Sequence, residues 1–363
     1  MRSAASRRRF LQGVAAGLSA AVLPDLVRGS PAQAQSATHP PPKPAARFNP
    51  HAVDEPVAIE VNARPLPSFD IRDRGHRRFG ALEYRSGLIL TSPFPGFGGL
   101  SALRLDPKGE RFIAVSDQGS WFTGRIVYRG REMVGLDDVE AAPLLAADGR
   151  PITATRRWYD SESLALDGSF VYVGLERVNQ VLRYDFAEGF TRSRGEVVPL
   201  PPAAHKLPLN KGLEGLVFVP KGLPLAGTLI AFSERGLDAS GNLIAFLVGG
   251  KTPGQFSVRR TENFDISDAA LLRSGDLLIL ERKFSLFGGV GIRIRRIPLS
   301  QVAPGAVIDG PAIFHADLGD EIDNMEGIDA HVTAEGETVV TMISDDNFSL
   351  IQRNLLLQFT LVE

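Results

Sequence analysis

Cysteine is absent from the 363-residue chain, which excludes disulfides, thiolate nucleophiles and cysteine-ligated zinc. Stability must therefore come from a buried core. Histidine is scarce: of the six, none is placed like the base of a nucleophile triad, and no G-x-S-x-G elbow exists. Past the N-terminal segment no apolar run is long enough to cross a membrane. The formal charge is only −2, so no basic surface points to nucleic acid as a partner. Helical periodicity is also hard to find.

The N-terminal stretch "SRRRFLQGVAAGLSAAVLPDL" places Arg7 and Arg8 ahead of a short apolar run. It reads as a twin-arginine signal over residues 1–34, with "AQA" as the cleavage site before Gln35. Its removal takes away five arginines and Asp25 and leaves a formal charge of −6. The expected location is periplasmic or secreted. Residues 35–56 are Pro-rich and read as a semi-rigid tether outside the fold. Residues 57–363 read as one domain, expected to be a monomer.

In that domain short β-branched and aromatic runs alternate with Gly, Pro, Asp and Asn turns, an all-β pattern. Five hairpins share one plan, an acidic or polar start and an acidic finish. They are "GGLSALRLDPKGERFIAVSDQG" (98–119), "DSESLALDGSFVYVGLER" (160–177), "KGLEGLVFVPKGLPLAGTLIAFSER" (211–235), "SDAALLRSGDLLILER" (267–282) and "NMEGIDAHVTAEGETVVTMISDDN" (324–347). Measured at Ser101, Glu162, Glu214, Asp268 and Glu326 the spacing is 61, 52, 54 and 58 residues. One or two further candidate strands lie between hairpins, so each repeat suits a four-stranded propeller blade. A β-sandwich or two small β domains would not explain five matching hairpins. Six blades are favoured over five, with "NLLLQFTLVE" closing the ring against N-terminal strands.

In an antiparallel hairpin the first residue of strand one lies beside the last of strand two. The plan then pairs Glu162 with Glu176, Glu214 with Glu234, Asp268 with Glu281, Glu326 with Asp345, and Ser101 with Asp117. If these hairpins are innermost, nine carboxylates crowd one channel mouth. At ~4 Å and an effective dielectric of about 20, each uncompensated pair costs up to several kcal/mol. Either Arg177, Arg235 and Arg282 fold back on the glutamates before them, or a hard cation binds several carboxylates. Oxygen-only ligands point to Ca²⁺ or Mg²⁺, Ca²⁺ first. The candidate ligands are Glu162, Glu214, Asp268, Glu326, Asp345 and Asp117. Ion pairs between blades, with no ligand, are the alternative reading of the Glu-Arg pairs.

These ordered motifs, "SESLAL…VGLER", "KGLEGL…SERG", "DAALL…LILERKF" and "NMEGIDAH…SDDN", resemble the phytase-like family, described as esterase-like activity of phytase, over roughly residues 75–360. The resemblance implies a propeller related to calcium-dependent phytases that hydrolyses phosphoesters or other esters. It implies catalytic roles for Glu162, Glu214 and Glu326, and phosphate binding by Arg177, Lys211, Arg235 and Arg282, with Lys283 nearby. A non-catalytic binding propeller with a structural cation, and a lactonase-like hydrolase, are the alternatives. His331 reads as a core, surface or channel histidine, and "RGHRRFG" (74–80) as a basic loop.

Overall fold

The computed structural model describes residues 51–154, 160–285 and 289–362. The export signal and most of the tether lie outside the described residues. Val53, in the segment read as tether, is buried in the core, so the folded unit begins before residue 57.

Five antiparallel sheets form the blades. Blade 1 contains Leu100–Leu105, Arg111–Ser116, Ser120–Arg129 and Glu132–Pro143, with Val57–Ala58 on its outer edge. Blade 2 contains Ser161–Asp167, Phe170–Leu175, Gln180–Asp185 and Glu196–Val198. Blade 3 contains Leu213–Phe218, Thr228–Leu237, Leu243–Gly249 and Gly254–Val258, edged by the parallel Val307–Ile308. Blade 4 contains Asp265–Leu271, Asp276–Ser285, Gly289–Pro298 and Ala312–Asp317. Blade 5 runs from Asn324–Val332 through Thr338–Asp345 and Asn354–Leu361 to Leu82–Thr91 and Asn62–Leu66.

The first strand of each expected hairpin is the innermost of its blade, and each packs on the next around a ring. Blade count departs from the favoured reading: there are five, not six. The N-terminal strands add to the outer side of blade 5 instead of forming a blade of their own. Leu82–Thr91 pairs with the C-terminal strand, Leu90 opposite Asn354 and Leu82 opposite Leu361. The segment from Val57 to Leu66 also crosses from the edge of blade 1 to the edge of blade 5. Both chain ends thus close the ring and cover sheet edges.

The closing strand buries Leu355, Leu357 and Phe359 completely, and Phe359 joins Phe69, Phe79, Tyr84 and Phe314 in an aromatic cluster between blades 4 and 5. Deletion of residues 354–363 should therefore abolish the cooperative thermal transition. A truncated protein that keeps a near-native melt would refute the closure.

Among the described residues no helix is long and apolar enough to cross a membrane.

Candidate functional site

In all five inner hairpins the pairing register skips one residue at the same place. The skipped residues are Ser101, Glu162, Glu214, Ser267 and Glu326. A bulge leaves its extra residue out of the ladder and re-aims its side chain. Glu162, Glu214 and Glu326 are thereby placed around one mouth. The residue after each bulge is small in four blades (Ala102, Ser163, Gly215, Gly327), because the inner strands approach closely there. A Cβ on Gly327 would lie 3.0 Å from the Leu103 nitrogen of the adjoining blade.

The finish of the second strand forms another ring. Asp117, Glu176, Glu234, Arg282 and Asp345 stand opposite Gly99, Asp160, Gly212, Asp265 and Asn324. Blade 4 thus differs from the sequence expectation by one residue at both ends. Ser267, not Asp268, occupies the bulge, and Arg282, not Glu281, occupies the finish. Side chains alternate between sheet faces, so a one-residue slip turns both acids away from the mouth.

Asp268 is fully buried and bound by Arg104, with Nη1 to Oδ2 at 2.8 Å and Nη2 to Oδ1 at 2.9 Å. It is a structural ion pair and not a candidate metal ligand. Glu281 is likewise buried inside blade 4, accepting from Arg293 Nε at 2.7 Å and Arg295 Nε at 2.9 Å.

The other seven expected carboxylates surround the mouth. Glu176, Glu214 and Glu234 bring one oxygen each within 4.8 Å of one another, and all three side chains are buried. This buried acidic trio could hold a metal ion. Only Glu214 of the expected ligands belongs to it. For Glu176 and Glu234 the sequence leaves two balances open, the arginine that follows each or a shared cation, and the structure gives each a further partner. Glu176 Oε1 accepts from the Gly212 backbone at 3.0 Å, and Glu234 Oε2 accepts from Lys211 Nζ at 2.6 Å.

The arginines do not fold back on the glutamates beside them. Arg177 reaches Asp160 at 3.3 Å. Arg235 crosses to Asp265 of the next blade. Arg282 binds Glu326 and Asn324 of blade 5, and lies 3.6 Å from Glu234 of blade 3. Burial alone would lower the Arg282 guanidinium, but Glu326, Glu214, Glu234 and Glu162 outweigh it and keep it charged. All four cations expected to bind phosphate are thus engaged by carboxylates.

One arginine does not neutralise so many acids. Burial and like charge push the Glu162 carboxyl well above its ordinary value, with Asp160, Asp117 and Glu326 the main neighbours. Burial and the charges of Glu162, Glu326 and Glu176 do the same to Glu214. Burial raises Glu326 to about 8 in spite of Arg282. Burial and Asp345 raise Asp117 to about 7, and burial raises Asp345 to about 6. Two carboxylate oxygens here, Asp117 Oδ1 and Glu326 Oε2, are buried with no hydrogen-bond partner. Orphaned buried oxygens in an acidic cluster are what a hard cation would satisfy.

The opposite end of the channel is different in kind. A cavity of about 510 Å³ there is lined by apolar side chains together with Arg104, Asp106, Lys221, Arg273, Asp329 and His331. His331 lines this cavity and pairs with Val339 beside the turn, so it belongs to this end and not to the mouth; burial pushes the basicity of its ring down. Volume favours this end, but the chemistry lies at the mouth, where acidic groups of four blades converge.

Among solved structures the chain is similar to glutaminyl cyclase from Myxococcus xanthus, at 10% identity and a TM-score of 0.39 over 73% of this chain and 92% of that one. It is similar to the PQQ-bound aldose sugar dehydrogenase from Streptomyces coelicolor, at 11% identity and a TM-score of 0.38 over 83% and 98%. No curated protein sequence matches. The family model "Phytase-like: Esterase-like activity of phytase" matches residues 95–348, a span holding every inner strand and every mouth carboxylate described above, and the chain therefore belongs to the phytase-like family.

Proposed function

We propose that this propeller is an exported, metal-dependent ester hydrolase, acting on phosphoesters at its acidic channel mouth. The observation that carries the reading is the set of mouth carboxylates left without enough internal cations, including the trio Glu176, Glu214 and Glu234. The donors are all oxygens, so they fit Ca²⁺ or Mg²⁺, with Ca²⁺ preferred for its tolerance of irregular geometry. A divalent ion so held would act as a Lewis acid and lower the pKa of a bound water.

The chain's own residues supply the rest. Glu162, flanked by Asp160 and pushed up by burial and like charge, keeps its proton more readily than an ordinary carboxylate and so suits proton transfer at its carboxylate. Arg282 offers a guanidinium to an anionic phosphoryl group, although it must then relax its hold on Glu326. Lys211, Arg177 and Arg235 sit on the same face with partners that a substrate phosphate would have to displace.

The test is a hydrolysis screen of calcium-loaded protein against phosphate monoesters, carboxyl esters and lactones, repeated with chelator and with Glu214→Gln. Phosphate release that needs calcium and falls at least tenfold in the variant is expected. Turnover of lactones alone would move the assignment to the lactonase-like reading, and no turnover with calcium bound would leave a binding propeller.

A further inference from the structure

The cavity at the end of the channel away from the mouth has no part in the hydrolase reading. Its lining starts at Arg104, Ala165, Leu216, Ala269 and Asp329, one from the innermost strand of each blade. It continues along those strands and into their turns, away from the mouth. No bulged residue and no carboxylate of the mouth lines it. On the mouth side Arg104 closes it. Both terminal nitrogens of that guanidinium are spent on Asp268 and on the carbonyls of Leu103, Leu216, Ala269 and Ile328, and Nε enters none of these bonds.

A volume of about 510 Å³ is that of a small-molecule pocket. Its walls are apolar: Leu166, Phe218, Leu223, Leu271 and Val332, from blades 2, 3, 4 and 5, line it as half-buried side chains. Two polar groups interrupt that surface. Asp329 and His331 lie two apart on an unbroken stretch of the inner strand of blade 5, so they share a face. Asp329 Oδ2 accepts from the Leu105 backbone at 2.6 Å. His331 is 9% exposed, and its Nδ1 is buried with no hydrogen-bond partner. A Cβ on Gly109 would lie 2.2 Å from Nε2, so the ring sits tight against the first turn of blade 1. An orphaned ring nitrogen beside an apolar cavity is what the polar group of an occupant would satisfy.

Charge does not choose that occupant. Lys221 and Arg273 are matched in number by Asp106 and Asp329, and Arg104 is neutralised by Asp268. Burial lowers the His331 ring, which is therefore neutral at neutral pH.

We infer that this cavity is a second binding site, for an uncharged and mostly apolar molecule with a hydroxyl group, its body against Leu166, Phe218, Leu223 and Leu271 and its hydroxyl at Asp329 and His331. A hydroxyl both donates and accepts, which suits a carboxylate beside a neutral imidazole. The site is separate from the mouth and stands without the hydrolase reading.

The experiment titrates the protein with three compounds of one shape: 2-naphthol, 2-methylnaphthalene, which lacks the hydroxyl, and 2-naphthoate, which carries a charge. One-to-one binding of 2-naphthol is expected, about tenfold tighter than 2-methylnaphthalene, the worth of a hydrogen bond to a charged group. It should also bind tighter than 2-naphthoate, and equally well with calcium and with chelator. In protein labelled at histidine, 2-naphthol should move the ring signals of His331, identified by their loss in His331→Gln, and leave those of the other histidines in place. Leu166→Ser with Leu223→Ser should weaken 2-naphthol roughly fivefold or more.

No binding of 2-naphthol up to its solubility, equal affinity for the hydroxyl-free compound, or tighter binding of the anion would overturn the inference. Binding that leaves the His331 signals in place, or that is undiminished in the folded double variant, would do the same. So would dependence on calcium, which would put the ligand at the mouth. The histidine readout uses the wild-type chain and decides the matter even where the double variant fails to fold.

Discussion

Arg104→Met should destabilise the domain by about 3–5 kcal/mol, the usual consequence of leaving a buried charge without its partner. Arg104 lies on the inner strand of blade 1 and is almost wholly buried. Its guanidinium donates to both Asp268 oxygens and to backbone carbonyls of three other blades: Leu216 at 2.9 Å, Ala269 at 3.2 Å and Ile328 at 3.0 Å. Asp268 in turn accepts from the Ile328 backbone at 2.9 Å. One side chain therefore ties four of the five inner strands across the channel. Removing it orphans the carboxylate and three carbonyls together, and methionine satisfies none of them. The double variant Arg104→Met with Asp268→Leu removes both charges and should recover a large part of the loss. Chemical denaturation of the two variants decides the matter. A single variant within about 1 kcal/mol of wild type would mean that the clasp contributes little.

The same pair shows where sequence reasoning reached its limit. The five hairpins, their inner position and the closure by both chain ends were legible, because strand alternation and turn residues repeat along the chain. The carboxylates Glu162, Glu214 and Glu326 were legible for the same reason. In blade 4 the pattern points one residue off, because "LILER" repeats the spelling of "VGLER" while its register puts Arg282, and not Glu281, at the finish. In a sheet one residue is the difference between facing the mouth and facing the neighbouring blade. The signal that could have corrected it is Ser267, which matches Ser101 in size and precedes the acid. The role of Glu176 was hidden for another reason. Gly212, which donates to Glu176, belongs to the hairpin of the next blade, and such a contact leaves no trace in local pattern. Lys211, which holds Glu234, opens the same hairpin 211–235, so that pair was open to the start-and-finish rule. The sixth blade failed because edge strands carry no mark of the sheet they will join.

Calcium should raise the stability of the wild-type protein by roughly 2.7 kcal/mol at a hundredfold excess over Kd. The shift should be larger at pH 8 than at pH 5. The folded-state values of Glu326 (about 8), Asp117 (about 7) and Asp345 (about 6) lie above the ordinary carboxylate range, and Glu162 and Glu214 move the same way. The native protein thus holds protons that the unfolded chain releases. That stabilising share is complete below about pH 4, the unfolded value, and is lost as pH rises through about 6 to 8. The metal-free protein should therefore melt at a lower temperature at pH 8 than at pH 5. Calcium competes with protons for the same oxygens, so it restores most at the higher pH, where repulsion among the mouth acids is greatest. Glu214→Gln keeps the side chain's size and removes one charge from the trio. It should abolish most of the calcium shift, while the metal-free variant at pH 8 is at least as stable as metal-free wild type. Melting curves at both pH values, with calcium and with chelator, supply the comparison. A wild-type protein indifferent to calcium at pH 8 would show that Arg282 and Lys211 suffice to hold the mouth, and the metal-dependent reading would lose its physical basis.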